Sequence, residues 1–394
     1  MEDRLKDIIF SITNRCTLRC VMCQIPESGE KEELSTVQAK EFIADAVKLN
    51  PASLVFSGGE PLLRDDIFEL ISFVNSFRVN TCLTSNGTLI DDAIARKLSL
   101  SGIGVVNISI EGPEDIHDSL RGQGSFKKAV LALENLKKFK IETTIATIVC
   151  RQNYEYLPFV MGLAGQMGVT TVKFQPFSDI FLSDKRKAED FFVPAHNREK
   201  IQGKVEEAMA LSNKFRIAIN PAGYLKLLPD YLTGSRDFSL PAGCQAVFRS
   251  CPISSEGDVY PCWVKTDKAV GNIKSSRLSS IWNSRAHKEI RKDILTNGCP
   301  ACFMSCYDYN FGDGPFSTKV LLKARNFKRS SLYKRSFNRC FQYSGYLFKK
   351  IANRIFGKPK KTPSQIQRER SDVLFEINLA KELLQEKIEV IDAK

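Results

Sequence analysis

No run of roughly eighteen apolar residues occurs anywhere in the 394-residue chain, so nothing in it reads as a membrane-spanning helix. An apolar leader is missing as well. The chain opens Met1-Glu2-Asp3-Arg4, charged from the start, and the expectation is a cytoplasmic protein. Histidine is scarce: His117, His196 and His287 are the three copies, none beside the first cysteines, which leaves little for a Cys/His zinc site there. No internal repeat is visible. Residues 1–315 show no charge imbalance, with 38 Lys and Arg against 38 Asp and Glu. Acidic residues are absent from 316–361, which carries 14 basic ones; with 5 basic and 7 acidic residues in 362–394, the net charge of +12 traces to that one segment.

What is present is cysteine, twelve in all. In a reducing compartment clustered thiols bind metal or do redox chemistry rather than form disulfides. Nine fall in two groups, 16–23 and 244–306, while Cys82, Cys150 and Cys340 stand alone. Cys82 and Cys150 lie in apolar, strand-like surroundings and read as buried small hydrophobes.

From residue 7 to about 175, β-type runs alternate with helical patterns. Strands are expected at Asp7–Thr13, Ser53–Ser57, Asn80–Thr84, Val105–Ile110, Glu142–Val149 and Thr171–Gln175. Helices are expected at 35–49, opened by a Ser35/Gln38 capping box, and at 65–77, 90–100, 125–139, 154–167 and 196–213. Such alternation gives right-handed βαβ units and a parallel sheet. Six units are too few for a closed eight-stranded barrel, so a partial barrel and an open doubly wound sheet both remain.

Cys16, Cys20 and Cys23 follow directly on the first strand. Three soft ligands on one loop suit an iron–sulfur cube with its fourth iron open. The spacing Cys-x3-Cys-x2-Cys after the first strand resembles the signature of the radical S-adenosylmethionine (SAM) superfamily. Ser57-Gly58-Gly59-Glu60-Pro61 is similar to that family's GGE motif, whose backbone and carboxylate hold the amine of SAM. Ser85 and Asn86 end the third strand, where polar groups in such sheets face the ligand. Ser109, ending the fourth, and Arg121 resemble the serine and arginine that contact SAM's ribose or carboxylate; Glu111 stands where many relatives have Asp. Met22 replaces an aromatic residue common before the third cysteine. The adenine contact is sought in Thr147–Asn153.

The later group, Cys244, Cys251, Cys262, Cys299, Cys302 and Cys306, resembles the SPASM/twitch extension of that superfamily. Six cysteines cannot give four ligands each to two cubes. The resemblance implies one auxiliary [4Fe–4S] cluster on Cys244, Cys262, Cys299 and Cys302, with Cys251 and Cys306 as substitutes or partial ligands of a second; structural zinc is the competing reading. Trp263 stands where peptide-modifying relatives often carry a catalytic Asp.

The fold implied is α/β: a partial (β/α)6 TIM-type barrel over 1–219, a linker over 220–243, a small cysteine-rich auxiliary-cluster domain over 244–314 and a basic helical tail over 315–394. The activity implied is reductive cleavage of SAM to a 5′-deoxyadenosyl radical, which takes hydrogen from a large lipid, glycan or peptide substrate. A peptide-modifying maturase is the second reading, and a non-catalytic RNA- or membrane-binding protein with structural metal sites the third. A flavodoxin or ferredoxin is the implied electron donor. In the tail, Tyr333, Phe337, Cys340, Phe341, Phe348, Ile351 and Ile355 recur at helical spacing among lysines and arginines, which suits an anionic membrane surface, here the inner face of the membrane. Nucleic acid is the weaker partner for it, and docking on the protein's own barrel also competes. Residues 364–391 read as a further helix.

Overall fold

A computed structural model describes residues 5–304 except 29–31, 180, 181, 183, 235–243, 264–268 and 298–301. The alternating pattern of the first half builds six parallel strands: β1 (Asp7–Thr13), β2 (Ser53–Gly58), β3 (Asn80–Ser85), β4 (Val105–Ser109), β5 (Glu142–Val149) and β6 (Thr171–Pro176). Helices α1 (Thr36–Ala46), α2 (Ile67–Ser76), α3 (Asp92–Ser101), α4 (Glu114–Arg121), α5 (Ser125–Lys138) and α6 (Leu157–Met167) connect them. The capping box is formed as expected: Ser35 accepts from the Gln38 amide N–H while the Gln38 side chain accepts from the Ser35 N–H.

The strands run in the order β6-β5-β4-β3-β2-β1, and the sheet does not close. Its two faces have different chemistry, because successive side chains point opposite ways. The outward set, including Ile8, Phe10, Leu54, Phe56, Leu83, Val106, Ile108, Ile145, Val172 and Phe174, forms the main core with the helices. Phe10 meets Phe42 of α1 edge-on at 5.3 Å between ring centres. The inward set begins apolar, with Ile9, Val55, Cys82 and Val105 packed together. Toward the strands' C-terminal ends it turns polar: Ser11, Ser57, Thr84, Asn107, Ser109, Thr144, Lys173 and Gln175 line one cavity of about 360 Å³. Strands β1 and β6 share that cavity, so the sheet curls into a partial barrel, the expected architecture.

Past β6 come α7 (Arg198–Phe215) and α8 (Ala222–Leu232). The segment read as a linker thus starts as a helix, with Tyr224, Leu225, Leu228 and Leu232 wholly buried in the main core. Short α9 (Ala246–Arg249) leads into β7 (Ser250–Ile253), which pairs in parallel with β1, Cys251 opposite Ile8. The turn at Gly257 closes an antiparallel hairpin onto β8 (Asp258–Val259), and β9 (Gly271–Asn272) pairs with β8. Gly257 stands at φ +93°, a conformation glycine adopts freely. Helices α10 (Leu278–Trp282) and α11 (Arg285–Asn297) follow. The cysteine-rich segment therefore extends the same sheet to nine strands instead of standing apart from it. All described residues lie in one unit, Met1–Phe327. The expectations for the basic tail and the 364–391 helix lie outside the described residues. Among the described residues no helix is long and apolar enough to cross a membrane.

Candidate active site

Strand β1 carries an irregular register between Ser11 and Thr13, where Thr13 comes opposite Gly58, and the cysteine loop leaves from that point. The loop then crosses directly over the end of β2. Gly59 N–H donates to Thr13 O at 2.7 Å and Glu60 N–H to Arg15 O at 2.8 Å. A Cβ on Gly58 would lie 2.2 Å from Thr13 O, and one on Gly59 2.1 Å from Arg15 O. Gly58 is also at φ +124°. The two glycines are thus required by the crossing of two backbones, whatever ligand they also face.

Cys16, Cys20 and Cys23 open onto the cavity together with Ser57, Gly58, Gly59, Ser85, Asn86, Ser109 and Arg121. Among the described residues no three His, Cys, Asp or Glu side chains converge on a point that would hold a single metal ion; the three thiols face the cavity from separate positions of the loop. Burial pushes the Cys20 and Cys23 thiols up, and Arg121 draws both part of the way back. Loading iron onto them therefore releases protons, and a fixed guanidinium helps hold the resulting thiolates. Asn86 reaches the same loop, its Nδ2 donating to Thr17 Oγ1 at 3.0 Å and lying 3.6 Å from Cys16 Sγ. Three soft donors, one amide donor and one cation fit an iron–sulfur cluster with an open corner.

Glu60 and Pro61 are not on the cavity wall. The Glu60 carboxylate, fully buried, accepts from Ser85 Oγ at 3.0 Å, from Asn86 N–H at 2.9 Å and from Leu62 N–H at 3.3 Å. Burial raises its pKa to about 7 despite those three donors. It braces the β2 and β3 ends from behind, so of the GGE triplet the glycines, not the acid, face the cavity.

Glu111, whose role the sequence left open, is the centre of a second buried network. It pairs with Arg121 Nε at 2.7 Å, accepts Ile148 N–H at 2.8 Å and has Asn153 Nδ2 at 3.5 Å. Burial raises the pKa of the acid while Arg121 opposes the rise, and the pairing raises that of Arg121. Arg121 NH1 in turn lies 3.9 Å from Cys20 Sγ, and Val21 N–H donates to Leu120 O at 3.0 Å, tying α4 to the cysteine loop. Thr147 and Ile148, the start of the stretch expected to hold the adenine contact, line the cavity, and so does Ala146 just before it. Met22, Leu120, Cys150, Phe177 and Phe191 make an apolar cluster flanking the loop, with Phe177 stacked on Phe191 at 4.5 Å.

The later cysteines are placed less uniformly. Cys244 Sγ accepts Ala246 N–H at 3.4 Å, and Cys262 packs with Val247 and Ile294. Cys302 is half-buried. Beside it Phe303 stacks on Tyr224 at 4.2 Å, and Tyr224 Oη donates to Phe303 O at 3.0 Å. Cys251 faces the helix side of the sheet inside the main core, where burial pushes its thiol up to about 12. Cys299 and Cys306 lie outside the described residues. Trp263 and Met304 reach the cavity. Trp263 was noted from the sequence only as standing in place of an Asp; Met304, Lys173 and Gln175 were not singled out. The signal for the last two was the alternation Val172-Lys173-Phe174-Gln175 within one strand.

Two family descriptions match the chain: the radical SAM superfamily over residues 10–164 and an iron–sulfur cluster-binding domain, SPASM, over residues 244–307. The chain is 29% identical over 310 residues to the AdoMet-dependent heme synthase of Methanosarcina barkeri, covering 75% of this chain and 87% of that one. It is 29% identical over 305 residues to the mycofactocin maturase MftC of Mycolicibacterium smegmatis, covering 75% and 74%. Among solved structures, Streptococcus suis SuiB bound to S-adenosylmethionine matches with a TM-score of 0.60 at 16% identity, covering 73% and 68%. With these matches the non-catalytic reading falls away.

Proposed function

The chain belongs to the radical SAM superfamily and carries a SPASM iron–sulfur domain, and from that premise we propose that the cavity at the C-terminal ends of β1–β6 binds SAM against a cluster held by Cys16, Cys20 and Cys23. The enzyme's cofactors are that [4Fe–4S] cluster, SAM and at least one auxiliary cluster. When bound, they supply one-electron cleavage of the sulfonium to a 5′-deoxyadenosyl radical that abstracts hydrogen from an unreactive carbon. The observation that carries the reading is the convergence of three thiols, the Gly58–Gly59 backbone, Ser109 and Arg121 on one cavity.

The chain's own residues divide the work by position. Gly58 and Gly59 offer backbone at close approach to SAM's amine. Ser109 and Arg121 sit where a hydroxyl donor and a cation suit its ribose and carboxylate. Glu111 holds Arg121 in place. Phe177, Phe191 and Met22 exclude water from one flank of the loop, which protects a reactive radical. Cys244, Cys262, Cys299 and Cys302 hold the auxiliary cluster, with Cys251 and Cys306 in reserve. Trp263, where a base stands in some peptide modifiers, offers no proton acceptor. A flavodoxin or ferredoxin delivers the electron.

The substrate is a large molecule, and the maturase relative favours a peptide as the second reading. The basic 316–361 segment meets an anionic membrane surface; liposomes should float the full chain and leave a 1–315 truncation behind, and equal flotation would count against this. The catalytic reading is tested by anaerobic holoenzyme reduced with dithionite and given SAM. It should release 5′-deoxyadenosine, and Cys20→Ala should abolish the release. Wild-type protein that leaves SAM intact would defeat it.

A further inference from the structure

Strand register sorts the inward side chains of the barrel into layers. Deepest are Ile9, Val55, Cys82 and Val105, packed on one another, with Ile9 and Val55 open to the cavity. Nearest the mouth are Ser109 and the cysteine loop, where SAM is proposed to bind. Between the two lies a layer in which the motifs touch Ser57 alone. Ser11 is opposite Ser57, and Phe56 is opposite Leu83, which brings Ser57 level with Thr84. Thr84 is opposite Asn107, Asn107 opposite Thr144, and Thr144 opposite Thr171. One uncharged polar row thus crosses all six parallel strands, and all of it but Thr171 lines the cavity. On β4 the row stands two residues before Ser109, about 7 Å deeper along the strand.

Most of its hydrogen-bonding capacity is unused. Asn107 Nδ2 donates to Thr84 Oγ1 at 3.2 Å, which leaves the Thr84 hydroxyl proton and Asn107 Oδ1 available. Among the described residues the Ser11, Ser57 and Thr144 hydroxyls have no hydrogen-bond partner. Thr144 is only 6% exposed, and that remnant faces the cavity. Thr171 Oγ1, at the end of the row, is buried and unpartnered as well. Polar groups at this depth are normally matched, so the row calls for a ligand that brings several donors and acceptors.

The chemistry of the row limits what that ligand is. Every member is neutral, and a hydroxyl both donates and accepts. Among the described residues no Asp or Glu lines the cavity, so no carboxylate there meets an ammonium group. A peptide backbone is met by an unpaired strand edge. Strands β1 to β5 are each paired on both sides, and they turn only side chains inward. A ring with several hydroxyls can match the row along its edge while its C–H face rests on Ile9 and Val55.

We propose that this row binds a neutral polyhydroxylated ring, a sugar or cyclitol residue, at the reacting end of the substrate and beneath SAM. The inference rests on the cavity being the SAM and substrate site, and it names the substrate class of that site.

The test is equilibrium dialysis of anaerobic, cluster-loaded full-length enzyme with SAM present. The labelled probes are methyl α-D-glucopyranoside, methyl α-D-galactopyranoside, methyl α-D-mannopyranoside and myo-inositol. Cyclohexylmethanol stands for an apolar ring of similar size, and N-acetylalanine methylamide for a neutral peptide. Wild type should retain at least one polyol about tenfold over cyclohexylmethanol, the effect of two ordinary hydrogen bonds. Thr144→Val keeps the β-branched shape without the hydroxyl and should lower that retention about three- to tenfold, whereas Thr144→Ser should keep most of it. Iron content and SAM retention are measured on the same samples. Wild type that retains no polyol above cyclohexylmethanol overturns the proposal, as does undiminished retention in Thr144→Val. Tighter retention of N-acetylalanine methylamide overturns the choice of a polyol. SAM retention that falls in step with the polyol in Thr144→Val overturns it too, because the row would then serve SAM. A glycoside held above myo-inositol marks a sugar residue, and the reverse marks a cyclitol. Failure of the functional reading is a separate result: no 5′-deoxyadenosine from wild type, whatever the dialysis gives.

Discussion

A carboxylate at the end of β2 is kept from water on all sides, and the pH dependence of stability follows from that burial. Glu60 has a folded pKa raised to about 7 from an ordinary 4.5. The raised value means the folded state prefers the protonated acid. Its contribution is complete below pH 4.5 and is lost as pH rises through 7, at most about 3 kcal/mol over that window. Buried His117 and His287 act with the opposite sign. Burial lowers them to about 3 and about 4, so their contribution is present above 6.5 and fades as pH falls. In the difference between wild type and Glu60→Gln the histidines cancel. The glutamine variant should therefore gain on wild type steadily between pH 4.5 and 7 in denaturant titrations; parallel curves would show that folded Glu60 ionises at its ordinary pKa. Gly58→Ala is a sharper case. A Cβ 2.2 Å from Thr13 O, at φ +124°, has no room and no favourable conformation. Strain of this kind costs about 1–3 kcal/mol, and displacing the loop loses the two backbone bonds that hold it. Iron bound per chain and thermal midpoint should fall together in that variant.

Glu111 and Arg121 show how elements are locked to one another. One acid links the end of β4, the last turn of α4 and β5 through three partners, and its arginine reaches the cysteine loop. Removing the arginine alone leaves a buried carboxylate without its cation, which costs about 3–5 kcal/mol. Arg121→Met should lose that much stability by chemical denaturation, whereas the double variant Arg121→Met with Glu111→Gln should recover much of it. Release of 5′-deoxyadenosine should stay low in both, because neither restores a cation beside Cys20. Recovery of activity in the double variant would place Arg121 outside the cofactor site. The capping box at Ser35 and the helix-facing apolar residues were readable in advance, since each depends on neighbours three or four positions away. The Glu111 network was not, since its partners lie 10 to 42 residues off in the chain.

Across the whole molecule, two cysteine groups share one sheet, because β7 of the later segment pairs with β1. Their iron contents should nevertheless be separable. Reconstituted wild type should bind about eight iron atoms per chain if one auxiliary cube is present. Replacing Cys16, Cys20 and Cys23 by alanine should leave about four, and replacing Cys262 should spare the SAM-cleaving cube's EPR signal. Retention of the full iron complement by the triple variant would break the assignment.

Strand boundaries of the barrel, to within one residue, and the cysteine loop, the glycine pair and the polar strand ends were legible in the sequence. They depend on period-2 patterning, on turn chemistry and on donor sets within a few residues. Facing and long-range pairing were decided by the tertiary structure. Curling of the sheet turned Lys173, Gln175 and Ser109 into one wall, and a two-backbone crossing turned Glu60 away from it. Residues 222–232 became a buried helix where Pro and Gly had suggested a linker, because Tyr224, Leu225 and Leu228 found the core. Local pattern fixes which atoms are available; only closure of the chain on itself fixes which of them share a cavity.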